Sequence, residues 1–116
     1  MMTEKNFENK VKKFLKDEKC WFIKYWGGGE FTKAGVPDIL CCCNGMFLGI
    51  EIKAPNGRPS ELQIHNLKKI DEAGGMGVLL YPNQFDIFKI LISALNHGDT
   101  LMTPIYYEEL KKRWSK

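Results

Sequence analysis

The dipeptide Asn44-Gly45 stands between two apolar runs, residues 36–43 and 46–53, and constrains the fold more than any other sequence feature. Asn-Gly between apolar segments is typical of a β-hairpin with a two-residue type I′ turn. Such a turn fixes the strand register, because the residues on either side of it must lie opposite each other. Counting outward from the turn, we expect Asp38 to lie directly opposite Glu51.

Two opposed carboxylates in an apolar hairpin predict a bound cation. Directly opposed side chains have Cβ atoms about 4.5–5.5 Å apart, and like charges at that distance destabilise a sheet. The neighbouring residues of both strands are apolar, so solvent screens the repulsion poorly. A divalent cation between Asp38 and Glu51 removes the repulsion, and oxygen ligands favour Mg²⁺ or Mn²⁺ over zinc.

Lys53 is the third member of the predicted site. It stands two residues after Glu51, so their side chains share one face of the strand while Ile52 points to the other. A metal ion polarises a phosphate and lowers the pKa of bound water. An ammonium group orients that water or offsets charge on the phosphorus oxygens. Asp38, Glu51 and Lys53 together therefore indicate phosphodiester hydrolysis.

A simpler interpretation of these three residues remains open. Asp38 would then be a turn residue before its strand, and Glu51 and Lys53 would form an exposed ion pair. The hairpin register decides between the two interpretations, because a single β-bulge would move Asp38 away from Glu51.

Helix and strand periodicities along the rest of the chain predict the order α-β-β-β-α-β-α. This order describes an α/β chain, more narrowly an α+β fold with a mixed sheet flanked by helices. A glycine-rich loop at residues 27–35 precedes the hairpin, and a last basic helix is expected from Pro104 to about Trp114. Helices are expected at about residues 4–18, 60–73 and 84–95, and strands at about residues 20–26, 36–43, 46–53 and 77–81.

The composition is that of an ordinary globular protein, with 116 residues, 44% hydrophobic, 27% charged and a net charge of +3. We expect one domain over residues 1–116, with a core at about 4–95 and a basic C-terminal extension at 97–116. No signal peptide or membrane-spanning stretch is recognisable, so a soluble cytoplasmic protein without a membrane partner is expected. The cysteines lack zinc-site spacing, which argues against a zinc-binding interaction module. They are Cys20, Cys41, Cys42 and Cys43.

The segment Gly35-Val36-Pro37-Asp38, followed after twelve positions by Glu51-Ile52-Lys53, resembles the signature of the PD-(D/E)XK nuclease superfamily. The residues from Arg58 to Leu80, with Gln63 in a helix and a Gly-Gly pair before an apolar strand, resemble the virus-type replication-repair nuclease (VRR-NUC) family. The resemblance covers about residues 4–95. It implies a restriction-endonuclease-like core, bound magnesium or manganese, and DNA substrates such as flaps, branches or four-way junctions. It also implies frequent occurrence in phages and prophages.

The resemblance implies roles for the hairpin residues. Asp38 and Glu51 match metal ligands, and the backbone carbonyl of Ile52 matches a further ligand. Lys53 matches the catalytic lysine.

Two helix residues also receive roles from the resemblance. Glu8 matches a first-helix acid that reaches the site directly or through water, with Glu4 as the alternative one turn earlier. Gln63 matches a glutamine that supports the metal-bound water or the catalytic lysine. Each has another interpretation, because Glu8 is spaced to pair with Lys12 on the helix surface. Gln63 is spaced to cap its helix together with Ser60.

DNA is the expected partner, held through basic residues. The three tryptophans, Trp21, Trp26 and Trp114, can stack on bases, but we expect them in the core of a domain of this size. The glycine-rich loop lacks the G-x-x-x-x-G-K-[ST] pattern, so no nucleotide cofactor is expected. Candidates for phosphate contacts are Lys24, Lys33, Arg58, Lys111, Lys112 and Arg113.

The resemblance also allows a homodimer. Residues 87–95 are more apolar than one core-facing helix stripe requires, which predicts an exposed patch at an interface. The alternative is that the tail around residues 105–107 covers this helix within one chain.

The sequence therefore favours a metal-dependent, structure-selective DNA endonuclease in phage or prophage replication, repair or recombination. A simple nicking or restriction-type nuclease is the broader alternative. A non-catalytic DNA-binding module with the same fold is another, although the intact Asp38, Glu51 and Lys53 argue against it.

Overall fold

The computed structural model describes residues 2–27, 29–30 and 32–115, so Gly28 and Phe31 of the predicted loop lie outside the described residues. Its element order confirms the predicted fold class. The helices are α1 (Glu4–Asp17), α2 (Glu61–Glu72), α3 (Phe85–Asn96) and α4 (Thr103–Lys111), and the strands are β1 (Trp21–Lys24), β2 (Ile39–Cys43), β3 (Met46–Ile52) and β4 (Met76–Leu80). Short 3₁₀ turns at Pro82–Gln84 and Lys112–Ser115 precede α3 and follow α4.

The hairpin β2–β3 has the register that the turn predicts. Asn44 and Gly45 have φ angles of 49° and 85°, the left-handed values of a type I′ turn. The antiparallel pairs run without a bulge from the turn outward to the pair Ile39 and Ile50. Strand β2 begins later than predicted, after Pro37, which has no N–H to give to a ladder. Asp38 therefore sits at the mouth of the hairpin, one step beyond the last registered pair.

The sheet has the order β1-β2-β3-β4, with β4 parallel to β3 and the other neighbours antiparallel. Helix α2 makes the crossover that a parallel pair requires. Strand β3 lies inside the sheet and is buried from Leu48 to Ile52. Glu51 is consequently the one charged residue in a buried strand segment of otherwise apolar or glycine residues.

Helix α1 is anchored to the sheet by one apolar face. Thr3 caps it by accepting a hydrogen bond from the Asn6 N–H, and Phe7, Val11 and Leu15 are buried at helical spacing. These three residues share a core cluster with the inward residues of the strands. This packing fixes where the remaining α1 side chains point.

Helix α3 does not offer the exposed surface that its sequence suggests. Phe88, Leu91, Ile92 and Ala94 are buried, the first three in the core cluster with residues of α1 and the strands, and α4 packs against α3 and places Tyr107 in the same cluster. Most apolar side chains of residues 87–95 are therefore buried within the chain, with Tyr107 of the tail in the same core, as the alternative predicts. An interface at this helix stays a prediction. Of these residues, Ile90 stays substantially exposed.

Two of the three tryptophans lie at the surface rather than in the core, so that prediction is wrong for them. Trp21 is 67% exposed and Trp26 is 76% exposed. Strand β1 is an edge strand, and α2 packs on β3 and β4, which leaves one side of β1 uncovered. Trp114 packs against the buried cluster of Leu67, Leu79 and Tyr81. Among the described residues no helix has the length and apolar character needed to cross a membrane.

Candidate active site

Asp38 is held in place at the mouth of the hairpin by backbone hydrogen bonds. Its Oδ2 accepts a hydrogen bond of 2.8 Å from the N–H of Ile52, and its carbonyl accepts one from the N–H of Tyr25. The carboxylate thus faces β3, the strand that carries Glu51. Here the N–H of Ile52 orients Asp38, and the expected role of the Ile52 carbonyl as a metal ligand stays a prediction.

Glu51 lies beside Asp38 and is only 2% exposed. Burial and the neighbouring charge of Asp38 raise the pKa of Glu51 to about 8, although Lys53 acts in the opposite direction. Its Oε2 accepts a hydrogen bond from Gln63, but its buried Oε1 has no hydrogen-bond partner among the described residues. A buried carboxylate in this position has fewer hydrogen-bond donors and less neighbouring positive charge than its ionised form requires.

Lys53 and Gln63 both contact the same oxygen of Glu51. The Nζ of Lys53 is 3.5 Å from Oε2, and the Nε2 of Gln63 donates a hydrogen bond of 3.1 Å to it. Gln63 also forms the complete capping box with Ser60, accepting from the Ser60 N–H through its Oε1. The geometry is therefore compatible with both interpretations of Gln63: its Oε1 takes part in the cap of α2, and its Nε2 contacts Glu51.

Glu8 completes an acidic cluster with Asp38 across Lys24. The Nζ of Lys24 is 2.7 Å from Glu8 Oε1 and 3.5 Å from Asp38 Oδ1, and both carboxylates raise the pKa of Lys24 against the opposing effect of burial. Lys12 pairs with the other oxygen of Glu8 at 3.4 Å. The structure thus brings Glu8 to the site, whereas Glu4 is exposed at the start of α1. The surface pairing with Lys12 is present as well.

The donor set of this cluster fits a divalent cation. Asp38 and Glu51 bring carboxylate oxygens together at the mouth of the hairpin, and such hard ligands suit Mg²⁺ or Mn²⁺. Glu8 lies across Lys24 from Asp38, and among the described residues the three carboxylates are not all close enough to share one ion without a movement of Glu8. Glu51 Oε1, which has no partner among the described residues and belongs to a carboxylate next to Asp38, is the kind of buried acceptor that a hard cation satisfies. Lys24 provides the counter-charge for Asp38 and Glu8, but it does not reach that oxygen in any described contact.

The other predicted phosphate contacts are exposed or paired with residues outside the carboxylate cluster. Lys33 and Arg58 are exposed, and Lys33 accepts a hydrogen bond from the Tyr25 hydroxyl through its carbonyl. The basic tail residues have partners within the chain: Lys111 pairs with Asp71 and Glu108, Lys112 pairs with Glu109, and Arg113 lies over the ring of Tyr81. DNA binding by all five stays a prediction.

Two groupings depend on how β1 pairs with β2 and could not be predicted from the sequence. Lys24 was a candidate phosphate contact, which stays a prediction, but its ion pairs with Glu8 and Asp38 were not foreseen. Lys24 lies opposite Ile39, the neighbour of Asp38, which makes it an ion-pair partner within the site. Cys20 joins Cys41 and Cys43 in a buried cluster of sulfur atoms. The alternation of Cys41 and Cys43 on one face was visible in the sequence, but the position of Cys20 was not.

The fold and the cluster of Asp38, Glu51 and Lys53 define a nuclease of the PD-(D/E)XK type. The family model described as archaeal Holliday junction resolvase (Hjc) matches residues 3–76, more than half of the chain and every residue of the cluster. The chain belongs to this family. The match supports the superfamily that the sequence resembles, while the VRR-NUC assignment stays a prediction. The chain matches none of the curated proteins compared with it.

Proposed function

We propose that this chain is a divalent-metal-dependent endonuclease that cuts branched DNA, with four-way junctions as its principal substrate. The observation that carries the proposal is the buried Glu51 carboxylate beside Asp38, whose Oε1 has no partner among the described residues and whose Oε2 lies 3.5 Å from Lys53. The family match supports a junction substrate.

Each residue of the cluster has a distinct task in this proposal. Asp38 and Glu51 hold the cation, with Glu8 completing the ligand set directly or through water and the Ile52 carbonyl as a further ligand. Mg²⁺ or Mn²⁺ bound there supplies a Lewis acid and lowers the pKa of water. Lys53 donates to a phosphate oxygen or orients the attacking water, where its charge opposes the negative charge that develops. Gln63 fixes the orientation of Glu51 through its amide.

The surface beside the cluster supports binding of distorted rather than regular DNA. Trp26 stands two residues after the end of β1, is exposed, and lies with its ring centroid 5.5 Å from the Nζ of Lys24. An exposed aromatic ring next to a phosphate-cutting site is suited to stacking on an unpaired base, which a branch point offers and a continuous duplex does not. In this proposal, basic side chains also contact DNA phosphates. They are Lys33, Arg58, Lys111, Lys112 and Arg113.

The VRR-NUC resemblance adds a second substrate class, DNA flaps, together with a phage or prophage context and a cytoplasmic location. It also supports a homodimer. A four-way junction has two-fold symmetry and needs two coordinated cuts, which two identical sites related by a two-fold axis would provide.

A cleavage assay on matched substrates tests the proposal. Four-way junction, flap and linear duplex DNA of the same sequence are incubated with protein and Mg²⁺, Mn²⁺ or EDTA. We expect cleavage of the junction with either metal, weaker cleavage of the flap, little of the duplex, and none in EDTA. Asp38→Asn and Lys53→Met should each lose activity by at least about a hundredfold while still binding the junction. Cleavage in EDTA, or full activity in either variant, would refute the proposed site.

A further inference from the structure

Three of the four cysteine side chains converge in the core, away from the carboxylate cluster. Cys20 lies just before β1, and Cys41 and Cys43 lie on β2. Their Sγ atoms are all within 4.8 Å of one another, and those of Cys41 and Cys43 are 3.3 Å apart. All three are buried, whereas Cys42 points to the opposite face of the sheet and is exposed.

The spacing of the three sulfur atoms suits a shared central ion. A thiolate binds an ion such as zinc at about 2.3 Å, so three thiolates around one centre have sulfur atoms roughly 3.8–4.0 Å apart. The separations in the cluster, from 3.3 Å to at most 4.8 Å, span this range. Small side-chain rotations would therefore bring all three sulfur atoms to bonding distance.

The ligand type and the apolar surroundings of the cluster indicate which kind of ion it would bind and with what charge. No carboxylate or imidazole joins the three sulfur atoms among the described residues, and a sulfur-only set prefers soft ions. Burial raises the pKa of the Cys20 thiol to about 12, and contact with Cys41 together with burial raises the pKa of Cys43. A complex that leaves net charge in this apolar core is disfavoured. A trivalent ion bound by three thiolates is neutral.

We propose that Cys20, Cys41 and Cys43 form a binding site for a trivalent thiophilic ion, of which arsenic(III) is the simplest example. Arsenous acid, As(OH)₃, reacts with three thiols to form three As–S bonds. Three As–O bonds break, each hydroxide leaves with a thiol proton as water, and no electrons are transferred. The reaction creates no charge, so the raised thiol pKa values do not oppose it.

The position of the three cysteines means that a bound ion should stabilise the fold. Cys20 belongs to the connection between α1 and the edge strand β1, and β1 pairs only with β2 among the described strands. An ion held by Cys20, Cys41 and Cys43 would link the start of the edge strand to β2. Binding should therefore appear as thermal stabilisation of the whole fold.

Thermal melts of reduced protein with increasing arsenite test the proposal. We expect the melting temperature of the wild type to rise with the logarithm of the arsenite concentration. Cys42→Ser, which changes the exposed cysteine only, should behave like the wild type. Cys41→Ala and Cys43→Ala should lose the shift, with circular dichroism of each variant confirming that it folds.

Native mass spectrometry of the wild type gives a readout that needs no core variant. The predicted species is one arsenic per chain with the loss of three thiol hydrogens, one for each cysteine of the cluster. A species that has lost only two would mean that the three sulfur atoms do not act together, and would overturn the site. Absence of stabilisation in the wild type would do the same. Equal stabilisation by Cd²⁺ would overturn the assignment to a trivalent ion.

Discussion

Glu51 shows how a single residue can be kept in a position that costs stability. Its carboxylate is 2% exposed, lies beside Asp38, and has one oxygen without a partner among the described residues. An isolated buried charge of this kind shifts its pKa or takes up a counter-ion. In the absence of a metal the first outcome applies, and the pKa of Glu51 rises to about 8.

This shift predicts a pH-dependent stability difference between the wild type and Glu51→Gln in EDTA. The folded protein holds the Glu51 proton more tightly than the unfolded chain, whose glutamates titrate near their ordinary pKa of 4.5. The wild type is therefore stabilised at low pH, and this contribution is lost as the pH rises from about 4.5 to about 8. The amide of the Glu51→Gln variant cannot titrate, so the variant should become the more stable protein above pH 8, by about 2–4 kcal/mol.

Urea denaturation of both proteins across this pH range measures the difference directly. The other titrating groups contribute almost equally to both proteins and cancel. A stability difference that stays constant from pH 5 to pH 9 would show that Glu51 is ionised throughout.

Gln63 has two contacts that two substitutions can separate. Gln63→Glu keeps an oxygen to accept from the Ser60 N–H, but it places a carboxylate where the amide donated to Glu51. We expect this variant to fold and to lose cleavage activity. Ser60→Ala removes the hydroxyl that caps α2, which should lower stability by about 1 kcal/mol and leave cleavage intact. If Ser60→Ala lost as much activity as Gln63→Glu, the cap rather than the contact with Glu51 would be the important role.

At the scale of secondary-structure elements, the hairpin could be predicted from the sequence because its information is local. Asn44 and Gly45 determine the turn, and the turn determines that Asp38 meets β3 near Glu51. The site residues of the hairpin and the approach of Gln63 and Glu8 followed from this register and from the resemblance. The pairing of β1 with β2 is different, since a long loop joins them and no local signal fixes their register. The ion pairs of Lys24 with Glu8 and Asp38 and the cysteine cluster were not predicted for that reason, although Lys24 itself was a candidate phosphate contact.

The two exposed tryptophans of the β1 region provide a matched test of DNA contact. Trp26 lies over Lys24, which pairs with Glu8 and Asp38, whereas Trp21 is the first residue of β1, at the opposite end of the strand from Lys24. We expect Trp26→Ala to weaken binding of a four-way junction by about 1–3 kcal/mol, the range for one stacked base, and to affect linear duplex much less. Trp21→Ala should leave both affinities unchanged. Equal losses in the two variants would argue against a specific stacking role for Trp26.

At the scale of the whole molecule, the sequence did not predict correctly which apolar side chains are exposed, because burial depends on which helices and strands pack together. An exposed apolar patch on α3 was expected, with cover by the tail as the alternative; α4 packs against α3 and brings Tyr107 into the core, and Ile90 stays exposed. The two tryptophans were expected in the core, but Trp21 lies on the exposed side of the edge strand β1, and Trp26 lies beyond the end of that strand. The hydrophobic periodicity of a segment shows which of its faces is apolar, but it does not show which distant segment packs against that face.

The proposed homodimer is a prediction at this scale. Light scattering at micromolar concentration should give twice the mass of one 13.4 kDa chain, and junction cleavage should release paired cuts at symmetric positions. Ile90→Glu on α3 should leave this mass unchanged, because most of that helix face is buried within one chain. If the protein is a monomer in solution and still makes paired cuts, the proposal that a homodimer is required for junction cleavage is wrong.

The central claim is that Asp38 and Glu51 form a site for a divalent cation, and thermal stabilisation by Mn²⁺ without DNA measures it most directly. A cation bound only by the folded state raises the melting temperature with the logarithm of its concentration. We predict this rise for the wild type and for Lys53→Met, which keeps both carboxylates, and its loss in Asp38→Asn. An equal rise in the wild type and Asp38→Asn would place the metal elsewhere and contradict the account.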